Sequence, residues 1–299
     1  MTELAPRPTP GQWLAGARPR TLPAALSPVL AGSGLAYFAG GFSGPRAGLA
    51  LLVSLALQIG VNYANDYSDG IRGTDAVRVG PLRLVGSGLA RPQAVKLAAF
   101  AFFGIAALAG LALVVITGQW WLLGLGATAI LAAWFYTGGR RPYGYLGLGE
   151  IFVFVFFGLV AVTGTVLVQL ERVPFTAWLA GLAMGALACA ILVANNLRDI
   201  VHDAAAGKRT LATRIGDGAT RRLFAALVLL AAITITGIAA LTTWWALLGL
   251  AGLLLVVPAL RAVSGGAVGP ALVVVLKSTG TAQLAAAALL TIGLVIGAS

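Results

Sequence analysis

Charge is what this chain has least of. Only 10% of its 299 residues are charged, against 59% hydrophobic, which excludes a soluble domain of this size and implies a membrane protein with several spans. Cysteine is nearly absent: Cys189 is alone, so no intrachain disulfide can form and the redox compartment is not indicated. The single histidine, His202, excludes a His-rich metal site and reads as surface-facing. Period-two alternation over strand lengths is missing, which excludes a barrel and leaves an all-α fold. The first twenty residues are rich in Pro and Arg and lack a long apolar stretch before a small-residue cleavage site, so no cleaved signal peptide is expected. The net charge of +11 is spread between apolar runs and not gathered in one patch. That distribution points to anionic lipid and an anionic substrate, and not to nucleic acid.

What is there is a series of nine apolar runs, near 22–40, 48–66, 94–117, 120–137, 149–169, 175–198, 222–242, 244–262 and 281–298. Each approaches the ~20 residues that cross the hydrocarbon. With a cytoplasmic N-terminus, the alternating loops put 18 of the 20 Lys and Arg on the inner side, leaving only Arg46 and Arg172 outside. The positive-inside rule therefore favours nine spans bundled around a cavity open to the cytoplasm, with the C-terminus outside, in a bacterial-type inner membrane. The whole chain, 1–299, reads as one domain. Its motifs suggest two four-helix halves, about 22–137 and 149–262, with a ninth helix appended.

Acidic residues number only nine, yet five of them fall in two short stretches that end apolar runs. The first is Asn62-Tyr-Ala-Asn65-Asp66-Tyr-Ser-Asp69, continuing through Arg72 and Gly73 to Asp75. The second is Asn195-Asn196-Leu-Arg198-Asp199, with Asp203 and then Gly207-Lys208-Arg209-Thr210. Asp66 and Asp69 are three apart and Asp199 and Asp203 four apart, so each pair shares a helix face. Clustered carboxylates with amide neighbours suit a hard cation such as Mg²⁺, which takes oxygen ligands and bridges to phosphates. Arg72, Arg198, Lys208 and Arg209 supply cations for phosphate oxygens. A site for Mg²⁺ and diphosphate at a membrane surface fits a substrate with a membrane-soluble tail, a prenyl diphosphate. The plainer reading is a pair of solvated helix ends.

The Asn-Asp-x-x-Asp stretch and the later Asp-x-x-x-Asp, on a nine-run helical chain, resemble the UbiA superfamily of intramembrane prenyltransferases. The common first motif of that family places a third aspartate four residues after the second; here that position is Gly73, and the acidic residue is Asp75. Gly73-Thr-Asp75, Asn195-Asn-Leu-Arg-Asp199, Ala206-Gly-Lys-Arg-Thr-Leu211, Arg18-Pro-Arg-Thr-Leu-Pro23 and Tyr143-Gly-Tyr-Leu-Gly-Leu-Gly-Glu150 resemble the branch that prenylates 1,4-dihydroxy-2-naphthoate in menaquinone synthesis.

The resemblance implies Mg²⁺ held by Asp66, Asp69, Asp199 and Asp203 with Asn62, Asn65 and Asn196 assisting. It also implies transfer of the allylic group to an electron-rich ring, with loss of the ring carboxylate as CO₂ and demethylmenaquinol as product. Lys208, Arg72 and Arg198 would meet the diphosphate. Tyr63, Tyr67, Tyr136 and Tyr143 are aromatic faces for an allylic cation, each with packing as its alternative role. Arg140 and Arg141 are candidates for the naphthoate carboxylate or plain positive-inside charges, and Glu150 for a partner of a cation or of the aromatic substrate. Acceptors of the 4-hydroxybenzoate type remain an alternative. So does a cation-coupled transporter, although its carboxylates belong near the bilayer midplane. Tail length and oligomeric state are not encoded in any motif.

Overall fold

A computed structural model of the protein describes residues 8–73 and 82–299. Asp75, Arg78 and Arg7, named or counted above, lie outside the described residues. Every regular element among the described residues is a helix. In chain order they are α1 (Pro10–Gly16), α2 (Pro23–Phe38), α3 (Gly44–Ile71), α4 (Pro92–Thr117) and α5 (Leu122–Phe135). There follow α6 (Gly149–Leu170), α7 (Phe175–Ala205), α8 (Leu211–Ile215), α9 (Asp217–Leu241), α10 (Trp244–Ser264) and α11 (Ala271–Ala298).

Among the described residues, seven helices are long and apolar enough to cross a membrane: α3, α4, α6, α7, α9, α10 and α11. An eighth span arises if Pro10–Thr21 and Pro23–Phe38, bent by 53°, count as one. The remaining apolar run, 120–137, forms only the 14-residue α5. Its chain is consumed at the start by the Gly118 turn and at the end by the Thr137–Gly139 turn. The last run starts ten residues earlier than its hydropathy suggests, because Lys277 and Ser278 are carried within the first turns of α11.

α7 is the axis of the bundle. Within its membrane window 72% of residues are buried, against 28–39% for the other spans. Small side chains make this possible: Ala177, Ala180, Ala183, Ala186, Ala190 and Ala194 are buried along it. Gly181 and Gly185 let the backbone of α6 come close at Gly158, where an added methyl group would overlap both. In lipid, where hydrophobicity does not separate helix from helix, such close approach is what holds helices together. α6 winds as a π-helix over Phe154–Val160, the segment containing that contact.

α3 and α7 are among the helices that outrun the bilayer. At 1.5 Å per residue, the 28 residues of α3 and 31 of α7 extend about 42 and 46 Å, against about 30 Å of hydrocarbon. Both Asn/Asp stretches sit at the C-terminal ends of these two helices. α3 packs against α4, and α7 against α6, α9 and α11. The far end of α3 is tied to the end of α6, where Arg46 donates to Val168 O at 3.0 Å and pairs with Glu171 at 3.3 Å.

Candidate active site

Between α2, α3, α4, α5, α6 and α7 lies a cavity of about 1180 Å³. Its lining on α3 runs from Ala50 to Asp69, so it is about 29 Å deep along that helix. One end is polar, formed by Asn62, Asn65 and Asp69 of α3 and by Asn195, Asn196, Arg198 and Asp203 of α7, with Lys208 just beyond. The rest is an apolar arm reaching Val29, Ala50, Leu113 and Val168, a buried cluster at the opposite end of the bundle. These helices thus enclose one space with a charged mouth and a greasy interior.

The carboxylates of each pair have different partners. Asp66 is fully buried and accepts from the backbone N–H groups of Leu84 and Val85 at 2.7 and 3.1 Å, which folds the segment after α3 back over the mouth. Asp69 faces the cavity and accepts from the Tyr145 hydroxyl at 2.5 Å, with Arg83 at 3.9 Å. Asp199 is closed by the Arg198 guanidinium, which donates through Nε at 2.6 Å and Nη2 at 2.7 Å and also reaches Asn195 Oδ1 at 2.8 Å. Asp203 lines the cavity.

The amides are oriented by what they donate to. Asn62 Nδ2 donates to Ala17 O at 2.9 Å and Thr21 Oγ1 at 3.0 Å, and Asn196 Nδ2 donates to Glu150 Oε1 at 2.8 Å. Asn65 is turned the other way: its Oδ1 accepts from Thr137 Oγ1 at 2.7 Å. Asn196 therefore offers a carbonyl oxygen and Asn65 an N–H donor, while Asn62 Oδ1 already accepts from Gln58 Nε2 at 3.4 Å and keeps its second lone pair.

Among the described residues, no three His, Cys, Asp or Glu side chains gather into a ready-made metal cluster. The donor set still fits Mg²⁺. Asp69 and Asp203 line the cavity with the amides of Asn62 and Asn196, all oxygen ligands. Mg²⁺ is commonly bound by one or two carboxylates plus substrate phosphates and water, without an all-protein cage.

Other expected residues fall as follows. Lys208 is buried in the mouth, its Nζ 4.6 Å from the centre of the Tyr145 ring. Arg72 lies outside the lining and clamps the end of α5 by donating to Thr137 O and Gly139 O. Tyr136 and Tyr143 do line the cavity and continue into an aromatic wall. Tyr136 meets Tyr143 edge-on at 5.5 Å, and Tyr143 stacks on Phe152 at 4.0 Å. Burial pushes the Tyr143 phenol up, and it donates to Ala132 O at 2.8 Å. Tyr63 and Tyr67 pack instead against Trp13 and Trp134 outside the cavity.

Arg140 and Arg141 are exposed and are not among the cavity's lining residues. His202 is exposed, as its isolation suggested. Glu150 is buried and reaches the site only through Asn196. Arg83, Gln58, Thr137 and, from α11, Lys277 line the cavity without any motif signal, while Arg18, Arg20 and Tyr145 belong to segments that carry only a branch resemblance and themselves have no assigned role. Arg18 has one local mark, a left-handed backbone (φ 54°) rare outside glycine, and its Nη2 donates to Asn62 O at 3.4 Å.

Comparison with known proteins agrees with this architecture. The model of the UbiA prenyltransferase family matches residues 25–267. The 1,4-dihydroxy-2-naphthoate octaprenyltransferase of Mycobacterium tuberculosis is 52% identical over 273 residues, covering 91% of this chain and 93% of that protein. The Escherichia coli protein of the same name is 42% identical over 223 residues, covering 73% and 72%. Among solved structures, a UbiA homolog from Archaeoglobus fulgidus bound to GPP and Mg²⁺ superposes with a TM-score of 0.69 at 16% identity, covering 95% of this chain and 99% of that one. The apo UbiA homolog from Aeropyrum pernix gives 0.66 at 17% identity, covering 91% and 97%. With the family's model matching from α2 to the turn after α10, and a helical bundle shared with its solved members, the chain belongs to the UbiA prenyltransferase family.

Proposed function

We propose that this protein transfers a polyprenyl group from a prenyl diphosphate to 1,4-dihydroxy-2-naphthoate, releasing CO₂ and diphosphate and giving demethylmenaquinol. The observation that carries the reading is the joining of the two Asn/Asp stretches, in one mouth, to an apolar arm as deep as a bilayer. A diphosphate with a long hydrocarbon tail has that shape and polarity. The naphthoate acceptor rests on the relatives at 42–52% identity that carry that substrate in their names.

The residues divide the work. Asp69 and Asp203, with Asn62 and Asn196, would hold the cation, while Asp66 and Asp199 order the two motif ends around them. Mg²⁺, when bound, neutralises the diphosphate as negative charge builds on it. Lys208, Arg198 and Arg83 face the same mouth and bind phosphate oxygens; Asn65 adds an N–H. The C1–O bond of the donor breaks, with its electron pair leaving on diphosphate. The ring carbon that bears the carboxylate bonds to C1, and CO₂ departs leaving its bonding pair to the ring. The Tyr136, Tyr143 and Phe152 wall offers aromatic faces to the developing allylic cation and keeps water from it.

The protein sits in a bacterial-type inner membrane as one domain of nine spans, with α5 as a short span. The motif ends and most Lys and Arg share the cytoplasmic side. A cation-coupled transporter is disfavoured, because the carboxylates lie on the last turns of α3 and α7 and not at mid-helix. The test is direct. Purified protein with the naphthoate, a prenyl diphosphate and Mg²⁺ yields prenylated product by mass spectrometry, EDTA abolishes it and Mg²⁺ restores it. Undiminished turnover in EDTA would overturn the metal assignment.

A further inference from the structure

Three segments distant in sequence meet at one aromatic side chain. Tyr145 lies in the 3₁₀ turn Tyr143–Leu146 between α5 and α6, and it lines the cavity. Its hydroxyl donates to Asp69 Oδ1 of the first motif. Its ring carries two cations: Lys208 Nζ of the second motif 4.6 Å from the ring centre, and Arg72 Cζ of the first motif 5.7 Å away. Its carbonyl accepts from the backbone N–H of Arg209 at 3.0 Å. Two residues on, a methyl group added at Gly147 would press on Arg209 O and the Arg214 side chain, so the turn and the loop after α7 are closely packed.

We propose that Tyr145 is the positioning residue that assembles the diphosphate end of the cavity, its hydroxyl fixing Asp69 and its ring fixing Lys208 beside Arg72. This rests on reading the polar mouth as a diphosphate site. The physical need is plain. Lys208 is on a flexible four-carbon stem and sits at the start of a loop, so charge alone leaves it free to pair with Asp203 or Asp69 and neutralise them. An aromatic face attracts the ammonium without neutralising it, leaving its positive charge for the substrate. The hydroxyl meanwhile holds Oδ1 of Asp69 by a charge-assisted hydrogen bond, while Oδ2 faces Arg83 at 3.9 Å. One tyrosine thereby keeps a cation and an anion a set distance apart in a buried space where their direct pairing would be strong.

The two halves of this role separate in two substitutions. Tyr145→Phe keeps the ring and loses the hydroxyl; Tyr145→Leu loses both. Binding of geranyl S-thiolodiphosphate, an unreactive donor analogue, is measured calorimetrically on the full chain in detergent across a Mg²⁺ series, alongside each variant's Tm. With saturating Mg²⁺, Tyr145→Leu weakens the analogue on the order of 10-fold, the scale of a single cation–ring contact, that of Lys208, while Tyr145→Phe stays within about 3-fold of wild type. Tyr145→Phe instead moves the Mg²⁺ midpoint upward several-fold, since Asp69 loses its fixed orientation. A residue that merely packs would lower Tm and leave both binding curves in place.

Wild-type affinity in Tyr145→Leu, or equal weakening in the two variants, overturns the role of the ring. If Tyr145→Leu does not fold, the Mg²⁺ midpoint of Tyr145→Phe decides, and an unmoved midpoint overturns the proposal. Failure of the wild-type protein itself to bind the analogue would remove the diphosphate reading of the mouth. Wild-type binding with unchanged variants would remove only the role of Tyr145.

Discussion

Asp66 and Asp203 belong to the two halves of one symmetric-looking pattern, yet the structure assigns them different work, and substitution by Asn separates them. Asp66 has no exposed surface and takes two backbone N–H groups, those of Leu84 and Val85. Asn at 66 can accept from one of them with its carbonyl oxygen, and turns an NH₂ group toward the other. A buried donor left without an acceptor costs about 1–3 kcal/mol. Ala at 66 strands both donors, about 2–6 kcal/mol on the same scale. At roughly 2–4 °C per kcal/mol for a chain approaching this size, Asp66→Asn lowers Tm on the order of 5 °C, and Asp66→Ala lowers it further. Activity falls with stability, because the segment that Asp66 holds carries Arg83 to within 3.9 Å of Asp69. Asp203 lines the cavity, and Asp203→Asn is expected to cost activity far more than stability, with Tm within about 2 °C of wild type, because the change falls on a charge facing the substrate space. The assay is thermal unfolding in detergent followed by the fluorescence of the seven tryptophans, beside turnover of the same samples. Equal Tm for Asp66→Asn and wild type, with activity lost, would refute the division of labour and make Asp66 a group that acts on substrate.

Two further outcomes follow from the same geometry. Asp69→Asn and Asp203→Asn each lower kcat on the order of 10²-fold. As both face one cavity, the double variant loses far less than the product of the two, and multiplicative losses measured under saturating substrate would argue for separate sites. Gly158→Ala forces α6 away from Gly181 and Gly185 and costs about 1–3 kcal/mol by overpacking. Gly164→Ala on the same helix meets nothing within 4 Å and leaves Tm unchanged or slightly raised, helped by up to about 1 kcal/mol of helix propensity. Equal destabilisation by both would contradict the close α6–α7 contact.

The helices were legible because crossing lipid demands a length and a hydropathy that need no knowledge of partners. The two Asn/Asp stretches were legible for a related reason: carboxylates are so costly in an apolar chain that clustering stands out. α5 was read as longer than it is, since hydropathy does not register the turns at Gly118 and Thr137–Gly139. Which cations enter the cavity was not legible. The positive-inside bias fills every loop at that end with Arg and Lys, so Arg140 and Arg141 looked as promising as Arg83 or Lys277. Only the packing of α11 and of the segment after α3 distinguishes them. The tyrosines pose the same problem: Tyr63 and Tyr67 sit inside the first motif but face away from the cavity. Tyr145, 54 residues from the nearest aspartate in sequence, meets both motifs. Helix-face arithmetic orders residues within one helix and cannot say which loop folds back on it.

Competition between two acceptors distinguishes a naphthoate prenyltransferase from a benzoate one. The purified protein is given equal concentrations of 1,4-dihydroxy-2-naphthoate and 4-hydroxybenzoate with one polyprenyl diphosphate and Mg²⁺, and both prenylated products and evolved CO₂ are measured together. The account predicts a prenylated naphthalenediol as the dominant product, with one CO₂ released for each diphosphate. Preferential prenylation of the benzoate, or a prenylated naphthoate that keeps its carboxylate, would contradict it.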